Sequence, residues 1–242
     1  MTGTIYLPGV DEDNPCFPPV EQALDEPDGL LAVGGRLDAK TLRLAYRKGI
    51  FPWYSEPQPV LWWCPSERAI LRPGTEHTSR SMAKIIRQGQ FRITSNQCFD
   101  QVVRHCSAPR AKADGTWITP AIRLAYGDLH RQGVAHSVEC WHSDRLVGGL
   151  YGVQVGSAFC GESMFSLESN ASKLAFISLS RTLHAHHFQL IDCQLENPHL
   201  NSLGIEMVSR QFFLEMLAKA AADDIHWPES EAFQKCMTPS HD

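Results

Sequence analysis

At Val134 the dominant period of the sequence changes from helical to alternating, and no other feature limits the fold as strongly. Beyond it, HSVECWH (136–142), the polar turn Ser143-Asp144 and RLVGGLYGVQV (145–155) read as a β-hairpin, because apolar residues alternate on both sides of a turn pair. Gly156 and Ser157 turn the chain into a further strand, AFCGESMF. A long helix is predicted from about Asn170 to His187, then the short strand QLIDCQL, then a last clear helix near Arg210 to Ala222.

Before Val134 the signals are helical. Thr78 or Ser79 is placed to cap a helix carrying Met82, Ile85 and Ile86 on one face and stopped by Gly89. Asn96 is read as the cap of a second helix, with Phe99, Val102, Val103 and Cys106 at i, i+3, i+4 and i+7. Thr119 and Pro120 form a cap and first-turn pair, and Ile122, Ala125, Tyr126 and Leu129 give the third helix its stripe before Gly133 closes it. The segment up to Ser66 is rich in Pro, Gly and Trp and holds one clear helix: Asp38 caps it, Ala39 to Lys48 form its body and Gly49 ends it. A helical run followed by an antiparallel meander, a helix and a strand is an α+β arrangement. We read residues 1–66 as a small N-terminal domain and residues 67–242 as the larger one.

Composition matters mainly for what it excludes. With 43% hydrophobic and 20% charged residues, the chain is globular rather than disordered. No apolar run is long enough for a bilayer and the acidic, Pro-containing start is no signal peptide, so a cytoplasmic protein without membrane contact is expected. The eight cysteines form no C-x-x-C pair and His184, His186 and His187 lack a second ligand pair, so neither disulfides, a metal nor a cofactor is called for. No surplus apolar helix face asks for a partner, and a monomer is expected. The net charge of −5 argues against nucleic-acid binding over the whole surface but leaves room for a local basic patch.

That patch is Arg80, Lys84 and Arg87, which fall on one helical stripe opposite Met82, Ile85 and Ile86; the stripe is either a solvated face or a phosphate-contacting one. Trp62 and Trp63 read as core, whereas Trp53 and Trp117 occupy loop-like contexts where a ring can stack on a base or pack inside. Glu162 interrupts an apolar strand, which requires either a structural partner or a cationic group. Strand parity puts Cys160, Glu162 and Met164 on one face and Phe159 on the other unless a bulge intervenes. By the same parity Asp192 and Gln194 share a face with Leu190, where they can hydrogen-bond one group or each other.

The strings DGLLAVGGRL, GIFPWYS, LWWCP, SRSM, GTWIT, HSVE, LVGGLYGV, FCGESMF, ESNASK and LIDCQ, in this order, carry a resemblance to the bacterial leucyl/phenylalanyl-tRNA–protein transferases over most of the chain. The resemblance implies a small N-terminal domain followed by a domain with the GCN5-related N-acetyltransferase fold. It implies transfer of Leu, Phe and less readily Met from aminoacyl-tRNA to proteins with N-terminal Arg or Lys, which marks them for degradation. It also assigns roles. Asp192 and Gln194 match the proposed catalytic pair and Glu162 a site carboxylate. Leu150, Phe159, Met164, Phe176 and Leu179 match the amino-acid pocket, with Leu150 standing where Met is common. Trp53 and Trp117 match aromatics near the terminal adenosine, and Arg80, Lys84 and Arg87 match the tRNA-binding region. Two other readings stay open: a CoA-dependent N-acetyltransferase, although no Q/R-x-x-G-x-G/A run precedes the helix near Asn170, and a non-catalytic RNA-binding module, which leaves Glu162, Asp192 and Gln194 without a task.

Overall fold

The computed structural model describes residues 6–108 and 118–237. In the first part β1 (Gly9–Val10), β2 (Leu30–Gly34), β3 (Phe51–Pro52) and β4 (Leu61–Trp63) form a small sheet ordered β1-β2-β4-β3, crossed by helix α1 (Ala39–Arg47). The Asp38 side chain accepts the Thr41 N–H and caps α1. Gly49, at φ 72°, leaves the helix where a Cβ would strike Phe213 and Leu214. The rest of the chain supplies β5 (Glu67–Leu71), α2 (Arg80–Gln88), β6 (Phe91–Ser95), α3 (Phe99–Ser107), α4 (Pro120–Arg131), β7 (Ala135–His142), β8 (Arg145–Val155), β9 (Ala158–Ser166), α5 (Ala171–Ala185), β10 (Leu190–Gln194), α6 (Pro198–Asn201), β11 (Glu206–Ser209), α7 (Arg210–Ala220) and α8 (Ser230–Lys235).

These strands make a seven-stranded sheet, β11-β5-β10-β9-β8-β7-β6, in which only the β9–β10 pairing is parallel. Each face is covered. One core joins the small sheet to α1, α3, α4 and α7, with Tyr46, Val102, Tyr126, Tyr151 and Phe213 fully or almost fully buried. The other packs α2, α5 and α8 against the opposite face through Met82, Leu174, Phe176, Ile177 and Phe233. The chain is thus a mixed α/β structure with two sheets. Helix α5 reads apolar nearly all round because it lies under that second core.

Ser79, not Thr78, caps α2. Asn96 does not cap α3: it sits at φ 59°, its side chain accepts the Ser137 N–H and contacts His136, and Cys98 holds the cap position without a side-chain bond. A buried strand polar group outcompetes the helix end for that amide. Trp62 is fully buried, whereas Trp63 is only half-buried and donates to the Trp53 carbonyl.

Candidate active site

β9 and β10 run in parallel register from Leu190↔Ala158 to Asp192↔Cys160, and beyond that pair they separate. Both carry a bulge at that level. On β9 the register against β8 steps from Gly152↔Gly161 to Tyr151↔Ser163, which leaves Glu162 as the extra residue. On β10 the register against β5 steps from Asp192↔Ile70 to Gln194↔Ala69. Bulges bend a strand and re-aim its side chains. The β9 bulge overturns the simple parity of AFCGESMF: Met164 joins Phe159 and Leu150 on the α5 side, while Cys160 and Phe165 face the other core.

The separated strands open onto a cavity of about 850 Å³, the size of a ligand site, lined among others by Trp53, Leu150, Phe159, Glu162, Met164, Phe176, Leu179 and Gln194. Leu150, Phe159, Phe176 and Leu179 are buried and form its apolar end, with Met164 beside them. Trp53, which is 45% exposed, and Leu195 stand at its rim. Trp117 lies outside the described residues. Arg80, Lys84 and Arg87 project from α2 into solvent and do not line the cavity, while Met82 is buried and Ile85 and Ile86 pack on the same core.

Glu162 and Gln194 bridge the gap between the strands: the Gln194 Nε2 donates to Glu162 Oε1 at 2.6 Å. Two tyrosines from the opposite layer complete the carboxylate's shell. Tyr46 Oη of α1 donates to Oε1 at 2.6 Å, and Tyr126 Oη of α4 donates to Oε2 at 2.8 Å. The two phenol oxygens also contact each other. Burial lifts the Glu162 carboxyl from its ordinary value to about 7, against the downward pull of both hydroxyls and the Gln194 amide, with nearby Asp192 adding to the rise. Burial and the same carboxylate push both phenols well above their usual range, so they stay protonated donors.

Asp192 is enclosed. It is 0% exposed, and Arg68 Nε and Nη2 donate to its two oxygens at 2.8 Å each. Arg68 is itself 1% exposed and is held between the rings of Phe51 and Phe213, 4.7 and 4.5 Å from its guanidinium carbon. Asp192 Oδ1 also accepts the backbone N–H of Gln194 at 2.9 Å. That bond holds Gln194 at φ 62°, a conformation a non-glycine residue rarely adopts without a specific partner. The link between Asp192 and Gln194 therefore runs through the backbone, and their side chains do not share one group.

Tyr46, Tyr126 and Arg68 were not singled out in the sequence as site residues. Each tyrosine does sit in the apolar stripe of a helix, where its hydroxyl must find a buried partner, and that is a usable signal. Nothing local marks Arg68, which is 124 residues from its partner.

Comparison with known proteins gives the family. The model of the leucyl/phenylalanyl-tRNA protein transferase family matches residues 70–218, and the model of that family's N-terminal domain matches residues 35–66. The leucyl/phenylalanyl-tRNA–protein transferase of Pseudomonas paraeruginosa is 52% identical over 88% of this chain and 94% of its own length. Those of Hahella chejuensis and Shewanella piezotolerans are 52% and 48% identical over 92% and 95% of this chain, and over 94% and 96% of their own lengths. Among solved structures, L-PGS from Bacillus licheniformis aligns at a TM-score of 0.37 and 12% identity over 69% of this chain and 53% of that one, a likeness too distant to assign a fold family. The matches define an aminoacyl-tRNA-dependent transferase. Within that class the chain belongs to the leucyl/phenylalanyl-tRNA–protein transferase family.

Proposed function

We propose that this enzyme moves Leu or Phe, and Met less readily, from aminoacyl-tRNA to the α-amino group of proteins beginning with Arg or Lys, creating a degradation signal. The observation that carries this reading is the cavity itself: an apolar end fit for a bulky side chain, meeting Glu162 and Gln194 where the strands part. Leu150, Phe159, Met164, Phe176 and Leu179 would enclose the donor side chain, and a β-branched one would meet their wall. One misplaced methyl is worth only about 1–3 kcal/mol, so discrimination among similar donors should be moderate.

The ester is already activated and the acceptor amine has an ordinary pKa of roughly 7.7–8.0, so alignment, proton removal and oxyanion stabilisation suffice. Gln194 would orient the amine. Asp192, with both oxygens committed to Arg68 and the Gln194 amide, would act by holding Gln194 in place. Glu162 would face the acceptor's cationic end. Trp53 and Trp117 would contact the terminal adenosine, and Arg80, Lys84 and Arg87 would bind tRNA phosphates. The helices on both faces of the large sheet and the split β9–β10 pair support the acetyltransferase-like reading of residues 67–242, with residues 1–66 as a small N-terminal domain whose own sheet shares a core with it. We place the enzyme in the cytoplasm as a monomer; no helix among the described residues is long and apolar enough to cross a membrane.

The test is transfer of radiolabelled leucine from leucyl-tRNA to a peptide beginning with Arg. Transfer that disappears when the peptide's N-terminus is acetylated is the expected result. Absence of transfer by the wild type would overturn the reading.

A further inference from the structure

We propose that Tyr46 and Tyr126 are positioning residues that make Glu162 the proton carrier of the transfer, which it serves by taking a proton from the attacking amine and returning it to the leaving ribose oxygen. The proposal deepens the function proposed above and rests on it.

The geometry is a closed ring of four oxygens: Glu162 Oε1, Tyr46 Oη, Tyr126 Oη and Glu162 Oε2, joined by the two tyrosine–carboxyl contacts and the tyrosine–tyrosine contact. Three contacts need three protons, and the two phenols supply two. With Glu162 ionised, each phenol donates to its own carboxylate oxygen and the contact between the phenols holds no proton. With Glu162 protonated, the third proton closes the ring: Oε1–H donates to Tyr46, Tyr46 to Tyr126, and Tyr126 to Oε2. Both protonation states thus find partners from the same side chains without rotation of the carboxyl. Gln194 donates to Oε1 in either state, so Oε2 carries only the bond from Tyr126 and keeps a lone pair for the amine.

Few other charges intrude. Tyr151 of β8, buried and pushed up in pKa by its own burial and by Glu162, packs edge-on against Tyr126 at 5.6 Å. Asp192 of β10 is the nearest second carboxylate and is neutralised by Arg68 of β5. Burial drives Glu162 towards the acid and the two phenols draw it back, so it rests at about 7, near the working pH.

The step balances within the two substrates. The neutral amine nitrogen bonds to the ester carbonyl carbon, and the excess proton on nitrogen passes to Glu162. As the bond from carbon to the ribose oxygen breaks, that proton passes from Glu162 to the oxygen. The products are an amide and a free hydroxyl, and Glu162 returns to its carboxylate.

Two measurements on wild type, Tyr46→Phe and Tyr126→Phe test this. The first is an infrared pH titration of the protonated-carboxyl band, with Glu162→Gln as the blank. The second is the pH profile of kcat/KM for leucine transfer. Loss of either phenol removes a charge-assisted donor, so the carboxyl midpoint should rise by about one unit. Turnover should then fall about tenfold near pH 6 and recover by about pH 9, which a purely structural defect would not do. If one tyrosine variant does not fold, the other decides. An unmoved carboxyl midpoint, or equal loss of turnover at every pH, would overturn the proposal. A wild type whose carboxyl titrates as expected but transfers no leucine would refute the parent function while upholding the tyrosine coupling.

Discussion

Two strand carboxylates on the same face of the large sheet, Glu162 and Glu139, have opposite surroundings. Both are held by hydroxyl donors. Glu139 takes Thr94 Oγ1 on Oε2 and Ser137 Oγ on Oε1, each at 2.5 Å, and its strand neighbours Val138 and Cys140 point into the other core. It is 0% exposed and does not line the cavity. Its contacts tie β6 to β7, and Thr94 Oγ1 in turn accepts the N–H of Trp141 Nε1. Glu162 is only partly buried, sits at a bulge and faces the cavity. A carboxylate within an apolar strand is therefore no mark of a site by itself. What separates the two is access: Glu162 opens onto the cavity and Glu139 is sealed from it.

The largest expected effect tests that distinction directly. Glu162→Gln should lower kcat/KM by about 10²–10⁴-fold, the range for a lost acid–base group, without lowering the unfolding midpoint below that of wild type. Glu139→Gln should leave turnover within a few-fold and cost about 1–3 kcal/mol of stability in denaturant titrations, since hydroxyls are left mismatched in a sealed place. If the two variants behaved alike, burial rather than cavity access would govern both residues.

Asp192 sharpens the comparison from the other side: it is sealed like Glu139, yet it holds the backbone of Gln194, which lines the cavity. Asp192→Ala leaves Arg68 charged and buried between two rings, so a loss of about 3–5 kcal/mol is expected by chemical unfolding. Turnover should fall as well, because the Gln194 backbone loses the acceptor that holds its unusual φ. Full turnover in Asp192→Ala would rule out any role for that carboxylate in arranging the site.

The sequence told these carboxylates apart only in part. Local periodicity and capping chemistry placed α1, α2, α4, α5 and the β7–β8 hairpin, because each depends on neighbours within a few residues. Leu150, Phe159, Met164, Phe176 and Leu179 were reached only through the family resemblance, and all five line the cavity. What stayed hidden depends on distance or on backbone detail. Parity put Met164 with Cys160, and the bulge at Glu162 reversed that. Asn96 looked like a helix cap until β7 offered its amide a buried partner. The partners of Glu162 lie 116, 36 and 32 residues away and that of Asp192 124, so no window along the chain contains them.

A smaller effect concerns the pH dependence of stability. The folded Glu162 carboxyl is raised from 4.5 to about 7, so its contribution to stability is fully present below about pH 4.5 and is lost as pH rises through about 7. Thermal unfolding of Glu162→Gln should therefore match wild type near pH 4 and exceed it by a few degrees near pH 8. A constant difference between Glu162→Gln and wild type across that window would mean that the folded carboxyl does not titrate there.

The smallest effect extends the comparison from carboxylates to the apolar core. Leu150 and Val138 are register partners on adjacent strands and share one face, yet only Leu150 lines the cavity. Leu150→Met keeps the volume and should cost less than about 1.5 kcal/mol of stability. It should nevertheless shift the ratio of leucine to phenylalanine transfer by less than about tenfold, the scale of a single methylene in an apolar pocket. Val138→Ala should destabilise the protein more and leave that ratio unchanged, because the residue behind the wall does not touch the donor. Donor competition with mixed leucyl- and phenylalanyl-tRNA reads the ratio independently of enzyme loss. If Val138→Ala moved it as far as Leu150→Met does, donor choice would follow the rigidity of the whole core rather than the side chains that meet the substrate.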